Sequence, residues 1–257
     1  MEVNQILAIA YRDFTKLLRD RPRLMTSLIS PILTVLVLGG SGEAAFDASF
    51  NIFHYILVGV MVQSVLTSTA AGMVWLLEDR TNDFSQEIFV SPISRYTIVF
   101  GKIAGEMMVA MPPGVILLIM ALVVGLPMTL WQFFALFAVL LFASILGGSL
   151  GIIVVSNLGT QRSANQIVPW ITMPQVLMSG IFFPLNLLPD GAEIFSRIMP
   201  LRYPVDLARA IIFANNPEEY AEVVMKSPLH NLLVMTVMFV FFLSIGTMLF
   251  VRSERNR

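Results

Sequence analysis

The chain has 257 residues, of which 56% are hydrophobic and only 13% charged, with a net charge of −1 and no cysteine. A soluble domain of this length needs far more polar surface, so the apolar excess has to face lipid and the fold class is an all-α membrane protein. The charge balance offers no basic field for nucleic acid, and the missing cysteines exclude disulfides, thiolate metal sites and thiol nucleophiles.

In chain order, the first element is an amphipathic helix over residues 1–23. Leu7, Ala10, Tyr11, Phe14, Leu17 and Leu18 form its apolar stripe, Gln5, Arg12, Asp13, Lys16, Arg19 and Asp20 face the other way, and Ile9 is the exception. Such a helix lies in the membrane interface. Six apolar runs of spanning length follow, at Leu24–Gly40, Ile52–Leu77, Ile98–Leu126, Leu130–Val155, Gln166–Phe183 and Leu229–Val251. Arg21-Pro22-Arg23 before the first run also resembles the start of a signal peptide, but the long preceding helix favours a retained span. Prolines inside the first, third and fifth runs (Pro31, Pro112, Pro113, Pro169 and Pro174) are expected to disturb those helices.

Six spans put both termini on one side, and lysine and arginine say which. The N-terminal helix, the second-to-third and fourth-to-fifth connections and the tail together carry twelve of the sixteen cations. The positive-inside rule places that side, with both termini, in the cytoplasm.

Between the second and third spans lies a charged stretch over residues 78–97. Asp83 is placed to cap a short helix with Gln86 three residues on, Phe84 and Ile88 share a face, and Pro92 stops the run. Its apolar residues need a cover, either lipid or another protein.

Inside the spans polar residues are few. Gln63, Ser64, Thr67 and Ser68 form an i,i+4 patch that suits either a pathway lining, with Gln63 and Thr67 foremost, or helix–helix glue. Glu106 stands four residues after Lys102, the spacing of a helical ion pair, with a role in coupling or proton movement as the sharper reading. Ala143, Gly147 and Gly151 make a small-residue face for packing. Ile181 to Arg209 is partly apolar but broken by Pro184, Pro189, Pro200 and Pro204, which fits two half-helices dipping in from outside over 184–209 better than two full crossings, with an ordinary extracellular loop carrying an interfacial helix as the alternative. His54 and His230 lack ligand spacing, so no metal site and no catalytic residue is expected.

Two stretches carry a family resemblance. Val90-Ser91-Pro92-Ile93-Ser94-Arg95 leading into Gly101-Lys102 resembles the cytoplasmic loop of ABC type-2 transporter permeases, although that family often has glycine where Asn82-Asp83 stands. Gly180-Ile181-Phe182-Phe183-Pro184-Leu185 followed by Met199-Pro200-Leu201 and Pro204-Val205-Asp206-Leu207-Ala208-Arg209 resembles that family's last extracellular segment. The resemblance covers essentially the whole chain as a single transmembrane domain. It implies the permease subunit of an ABC exporter of the daunorubicin-resistance or polysaccharide-export kind, moving an amphipathic or lipid-linked substrate. No phosphate-binding Gly-x4-Gly-Lys-Ser/Thr loop occurs, so the chain is not itself an enzyme, and ATP and Mg would sit on a separate cytoplasmic ATPase subunit paired with two permease copies. By the same resemblance residues 78–97 hold the coupling helix, with Phe84, Glu87, Ile88, Phe89 and Pro92 against the ATPase. Phe182, Phe183, Pro184, Leu185 and Tyr203 would form the outer gate. A secondary transporter or channel, or a non-transporting membrane scaffold, is the alternative.

Overall fold

A computed structural model of the chain describes residues 2–45, 50–81, 94–182, 184–185 and 189–255. Among them every regular element is helical. The helices are α1 (Glu2–Arg19), α2 (Arg21–Thr34), α3 (Gly40–Ala45), α4 (Ile52–Gly72), α5 (Trp75–Thr81), α6 (Arg95–Val123), α7 (Leu130–Ser156), α8 (Gln161–Met178), α9 (Asp190–Ser196), α10 (Arg202–Ile212), α11 (Pro217–Val223) and α12 (Pro228–Arg255).

Most starts are written locally. The Asp20 carboxylate accepts from the Arg23 amide at the head of α2, Asn51 from His54 at α4, Ser94 from Tyr96 at α6 and Thr160 from Ser163 at α8. Thr129 and Gln132 form a reciprocal capping box at α7. Gly125, at φ +84°, takes the left-handed turn that ends α6. α6 and α8 remain continuous through their prolines. In α2 the regular helix gives way one turn after Pro31 to a π-helical stretch, Val35–Gly39, that leads into α3.

Among the described residues five stretches are long and apolar enough to cross a membrane: Arg21–Gly42, Ile52–Asp79, Arg95–Val123, Leu130–Ser156 and Pro217–Ser253. α8, where a sixth was expected, is 18 residues long and diluted by Gln161, Arg162, Asn165, Gln166 and Gln175, and it is not among them. The expected second span is also interrupted: α4 stops at Gly72, and a turn at Met73–Val74 separates it from α5.

α4, α6 and α7 pack together at the centre, α12 lies along α7, and α1 crosses α6. Lipid tails are as apolar as leucine, so close approach rather than burial from water has to hold such helices. The small-residue face of α7 supplies it. A Cβ at Gly147 would overlap the Leu66 carbonyl oxygen of α4, and one at Gly151 would stand 2.6 Å from that of Ala70. The spacing on α6 does the same for α1, where Gly101 lies under Ile9 and Gly105 under Ala10 and Asp13. In the 18-residue apolar window of the second span 72% of the residues are buried, against 11% in that of the first, which turns Met25, Ile29, Leu33 and Val37 outward.

α1 docks differently from its helical wheel. Ile9, the residue out of pattern, is buried with Ala10, Asp13 and Leu17, while Leu7, Tyr11 and Leu18 of the apolar stripe stay exposed. The helix thus presents one mixed face to α6 and keeps half of the stripe, Leu7, Tyr11 and Leu18, for its surroundings.

Candidate functional site

Among the described residues the most extended charged cluster flanks residues 82–93. Lys102 of α6 is its centre, with only 3% of its side chain exposed. Its Nζ lies 2.9 Å from Asp13 Oδ2 on α1, 3.0 Å from Glu106 Oε1 one turn on, and 3.8 Å from Asp79 Oδ2 on α5. Asp79 also accepts from Arg12 Nη2 at 2.5 Å and Lys16 Nζ at 3.0 Å. Burial works against the Arg12 charge, yet Asp13 and Asp79 outweigh it and hold its pKa above the ordinary guanidinium value. A second tie fixes α5 from the other side, as Gln161 Nε2 at the head of α8 donates to Glu78 Oε2 at 2.9 Å.

The arrangement has a mechanical meaning. Asp79 stands just before residues 82–93 and Lys102 shortly after them, and α1 holds both. Paired buried charges of this kind resist sliding, because separating them strands a charge at low dielectric. Both flanks are thereby tied to α1, and α5 also to α8.

The expected Lys102–Glu106 pair is present, and it belongs to this larger set. Glu106 Oε2 turns away from Lys102 toward Arg23 Nη2 at 3.6 Å, while the Arg23 guanidinium lies 4.7 Å above the Trp75 ring. Gly72 makes room, since a Cβ there would overlap the Glu106 carboxylate. Gly72→Ala is expected to push Glu106 off its partners and cost about 1–3 kcal/mol, the range of overpacking. Thermal unfolding in detergent checks this, with Gly72→Ala/Glu106→Ala expected to lose less than the sum of its single variants.

Arg23 lines two cavities. One, of about 470 Å³, is charged and includes Asp13, Lys16, Lys102 and Glu106. The other, of about 540 Å³, lies between α2, α4, α6 and α8 and brings Gln63, Ser64, Thr67 and Ser68 together with Ser27, Ser30 and Thr172. The polar patch of the second span thus faces open space, and Gln63 and Thr67 line it. Glu106 lines only the charged cavity.

The opposite end of α4 is closed by α10. Arg209 is buried, with its guanidinium 3.4 Å from the Tyr55 ring centroid and Nη2 reaching the carbonyls of Tyr55 and Ile181 at 3.4 and 3.3 Å. The Tyr55 hydroxyl donates to the Gly180 carbonyl at 2.7 Å, and Gly180, at φ +72°, turns the chain out of α8 with Leu185 packed over it. Asp206 accepts from the Met225 and Lys226 amides and from Asn231 Nδ2, at 2.8 to 2.9 Å. Of the residues expected near an outer gate, Leu185 and Tyr203 are buried, Phe182 packs against the same core, and the Tyr203 hydroxyl donates to the Arg197 carbonyl at 2.5 Å. Pro184 is half-buried beside them. Phe183, like the expected coupling residues Phe84, Glu87, Ile88, Phe89 and Pro92, lies outside the described residues.

Sequence reading missed Asp13, Asp79 and Arg209 as partners. Arg209 and Asp206 do stand at i,i+3 spacing in a segment otherwise apolar enough to be buried, a signal that an ion in that stretch needs a partner.

A bundle of apolar helices with a buried ionic junction at one end, a close-packed helical cap at the other and a polar-lined cavity between defines a polytopic membrane protein of the transport class. The family model for the ABC-2 type transporter matches residues 4–213. The chain belongs to that family and is a membrane permease. Its relatives include two proteins that each bear the name "Putative transport permease ycf38". The one from Cyanophora paradoxa is 19% identical over 213 residues, covering 80% of this chain and 73% of that protein. The one from Porphyra purpurea is 22% identical over 233 residues, covering 87% and 79%.

Proposed function

We propose that the chain is the permease subunit of an ATP-driven exporter. It works as a dimer with a separate cytoplasmic ATPase, which carries the ATP and Mg, and moves an amphipathic or lipid-linked substrate across the cytoplasmic membrane. The observation that supports this best is the ionic junction. Residues 82–93 are flanked by Asp79 and Lys102, and both flanks are tied to α1. A loop meant only to connect two spans needs no such anchoring, whereas a segment that receives force from a partner does.

In this reading α8 is a sixth, short span, so both termini lie in the cytoplasm, and α1 rests its exposed stripe in the lipid interface. Phe84, Glu87, Ile88, Phe89 and Pro92 dock the ATPase, and its closure tilts α4 and α6 through the junction. The cavity bearing Gln63 and Thr67 is part of the path. Phe182, Phe183, Pro184, Leu185 and Tyr203, on half-helices dipping from outside, form the outer gate.

The test is co-purification of the tagged permease with the ABC ATPase from the same cells. Glu87→Ala and Phe89→Ala are each expected to weaken the complex about tenfold or more, the effect of losing an interface hot spot. Full complex formation and full transport in both variants would remove these residues from the docking surface.

A further inference from the structure

The charged cavity and the cavity between α2, α4, α6 and α8 share one lining residue, Arg23, and they differ in kind on either side of it. The first holds both signs of charge, among them Asp13, Lys16, Lys102 and Glu106. The second is lined by hydroxyl, amide and apolar side chains, and Arg23 is its one charged residue among the described residues. Along α4 the two come within a residue of each other. Ala71 lines the second cavity, and Gly72 faces the Glu106 carboxylate of the first.

Arg23 is held at this boundary by its backbone and by its side chain. The Asp20 carboxylate accepts from its amide at 3.1 Å and fixes the start of α2, so the side chain swings from a fixed base. The guanidinium rests over the Trp75 ring at 4.7 Å and faces Glu106 Oε2 at 3.6 Å. The second contact is too long for a hydrogen bond, and Glu106 Oε2 is buried without a hydrogen-bond partner. If Arg23 leaves, Glu106 keeps Lys102 at 3.0 Å, and the Arg23 side chain, already 27% exposed, keeps access to water. It is therefore the member of the cluster that departs without stranding a buried charge.

Its two partners stand on different elements. Glu106 is on α6, while Trp75 opens α5, the short helix that a turn at Met73–Val74 separates from α4 and that ends just before residues 82–93. The junction binds α1, α5 and α6 to one another, whereas α2 begins the least buried of the five spans. A shift of the junction as a block against α2 acts first on the contacts of Arg23.

We propose that Arg23 is the inner gate of the path. Held over Trp75 and against Glu106, it closes the cavity between α2, α4, α6 and α8 toward the charged cavity, and displacement of α5 frees it and joins the two. The proposal rests on the reading of the first of these cavities as part of the transport path and of residues 82–93 as the ATPase dock.

The chain has no cysteine, so an introduced one is its sole thiol, and Ser64→Cys places it in the cavity wall. Inside-out membrane vesicles holding the permease with its ATPase are treated with two membrane-impermeant methanethiosulfonates, one carrying a trimethylammonium and one a sulfonate. The modified fraction of the permease is followed by mass. Arg23→Met is expected to raise both rates about threefold to thirtyfold, the equilibrium worth of a partly buried cation–π contact. Trp75→Leu, which removes the ring and leaves the arginine, should act in the same direction, so the result does not hang on one variant's folding. Arg23→Lys should fall between wild type and Arg23→Met. MgATP should raise the wild-type rates and add little in Arg23→Met. A rise for one reagent with a fall for the other would make Arg23 a fixed charge rather than a gate and overturn the proposal. Unchanged rates in Arg23→Met and Trp75→Leu would also overturn it, and a response of those rates to MgATP would leave the path in place. Rates raised by both variants yet indifferent to MgATP would support the gate and count against ATP-driven use of the cavity. No modification of Ser64→Cys in any arm would overturn gate and path together.

Discussion

Lys102→Met is expected to destabilise the permease by about 3–5 kcal/mol, the cost of leaving buried charges without their partner. Methionine matches the length and apolar stem of lysine, so the loss isolates the charge rather than a void. Asp13 and Glu106 would keep their burial and lose contacts of 2.9 and 3.0 Å. Arg12 and Arg23 remain within reach of the two carboxylates, which limits the damage. Adding Asp13→Leu should recover part of the loss, because an ion pair removed as a pair leaves less unpaired charge. Lys16→Ala supplies the contrast. Lys16 bonds Asp79 at a similar distance, but its side chain is 56% exposed, and screening should hold its effect below about 1 kcal/mol. Thermal unfolding of the three variants in nanodiscs, read by size-exclusion recovery, checks the order. A Lys102→Met midpoint within a degree or two of wild type would mean that the junction does not hold the fold together.

Why the junction escaped sequence reading follows from its geometry. Lys102 and Glu106 share a helix face, and spacing alone pairs them. Asp13 is 89 residues from Lys102, and only the approach of α1 across Gly101 and Gly105 brings them together. On a wheel drawn for lipid, Asp13 belongs to the solvent side and Ile9 is misplaced. In the fold, both are on the side that meets α6. The small-residue face of α7 was legible because its rule is local and its partner need only be another helix. The patch of Gln63, Ser64, Thr67 and Ser68 was legible as polar, but its role depended on whether α2 and α8 would leave a space beside it. Span counting was weakest at α8, where amide side chains and prolines dilute the apolar signal. It was also blind to the turn that divides α4 from α5, since apolar residues continue through both.

The two ends of the central bundle now read as opposites in kind. At the junction, charges on α1, α5 and α6 are paired side chain to side chain, and Arg23 is held by a longer contact and a ring. The paired set is an assembly in which parting any pair strands a buried charge, so its members move together. At the other end, Arg209 and Asp206 are tied largely to backbone groups, which fixes α10 to the chain around it rather than to a single side chain. The proposed exporter needs one end that passes motion on and one that stays closed, and this asymmetry suits both.

Asp206→Ala tests the seal. Asp206 is buried, and its two carboxylate oxygens hold the Met225 and Lys226 amides and Asn231 Nδ2, which fasten the chain leading from α11 into α12. Alanine leaves three donors without their acceptor, the Asn231 amide buried and the Met225 and Lys226 amides part-buried, each costing about 1–3 kcal/mol where water does not replace the lost bond. Relaxation makes the sum less than additive, so the expected loss is about 3 kcal/mol or more. Asp206→Asn keeps one acceptor oxygen and should lose less. The second effect is on closure. Asp206 and Arg209 lie on the same short helix, and freeing α10 from Met225 and Lys226 loosens the contact of Arg209 with Tyr55 and Ile181. Vesicles carrying Asp206→Ala should therefore leak a small polar dye faster than wild-type vesicles without any ATP. Thermal loss without leak would make α10 a structural brace only, and neither effect would show that the Asp206 hydrogen bonds are dispensable to the closed end.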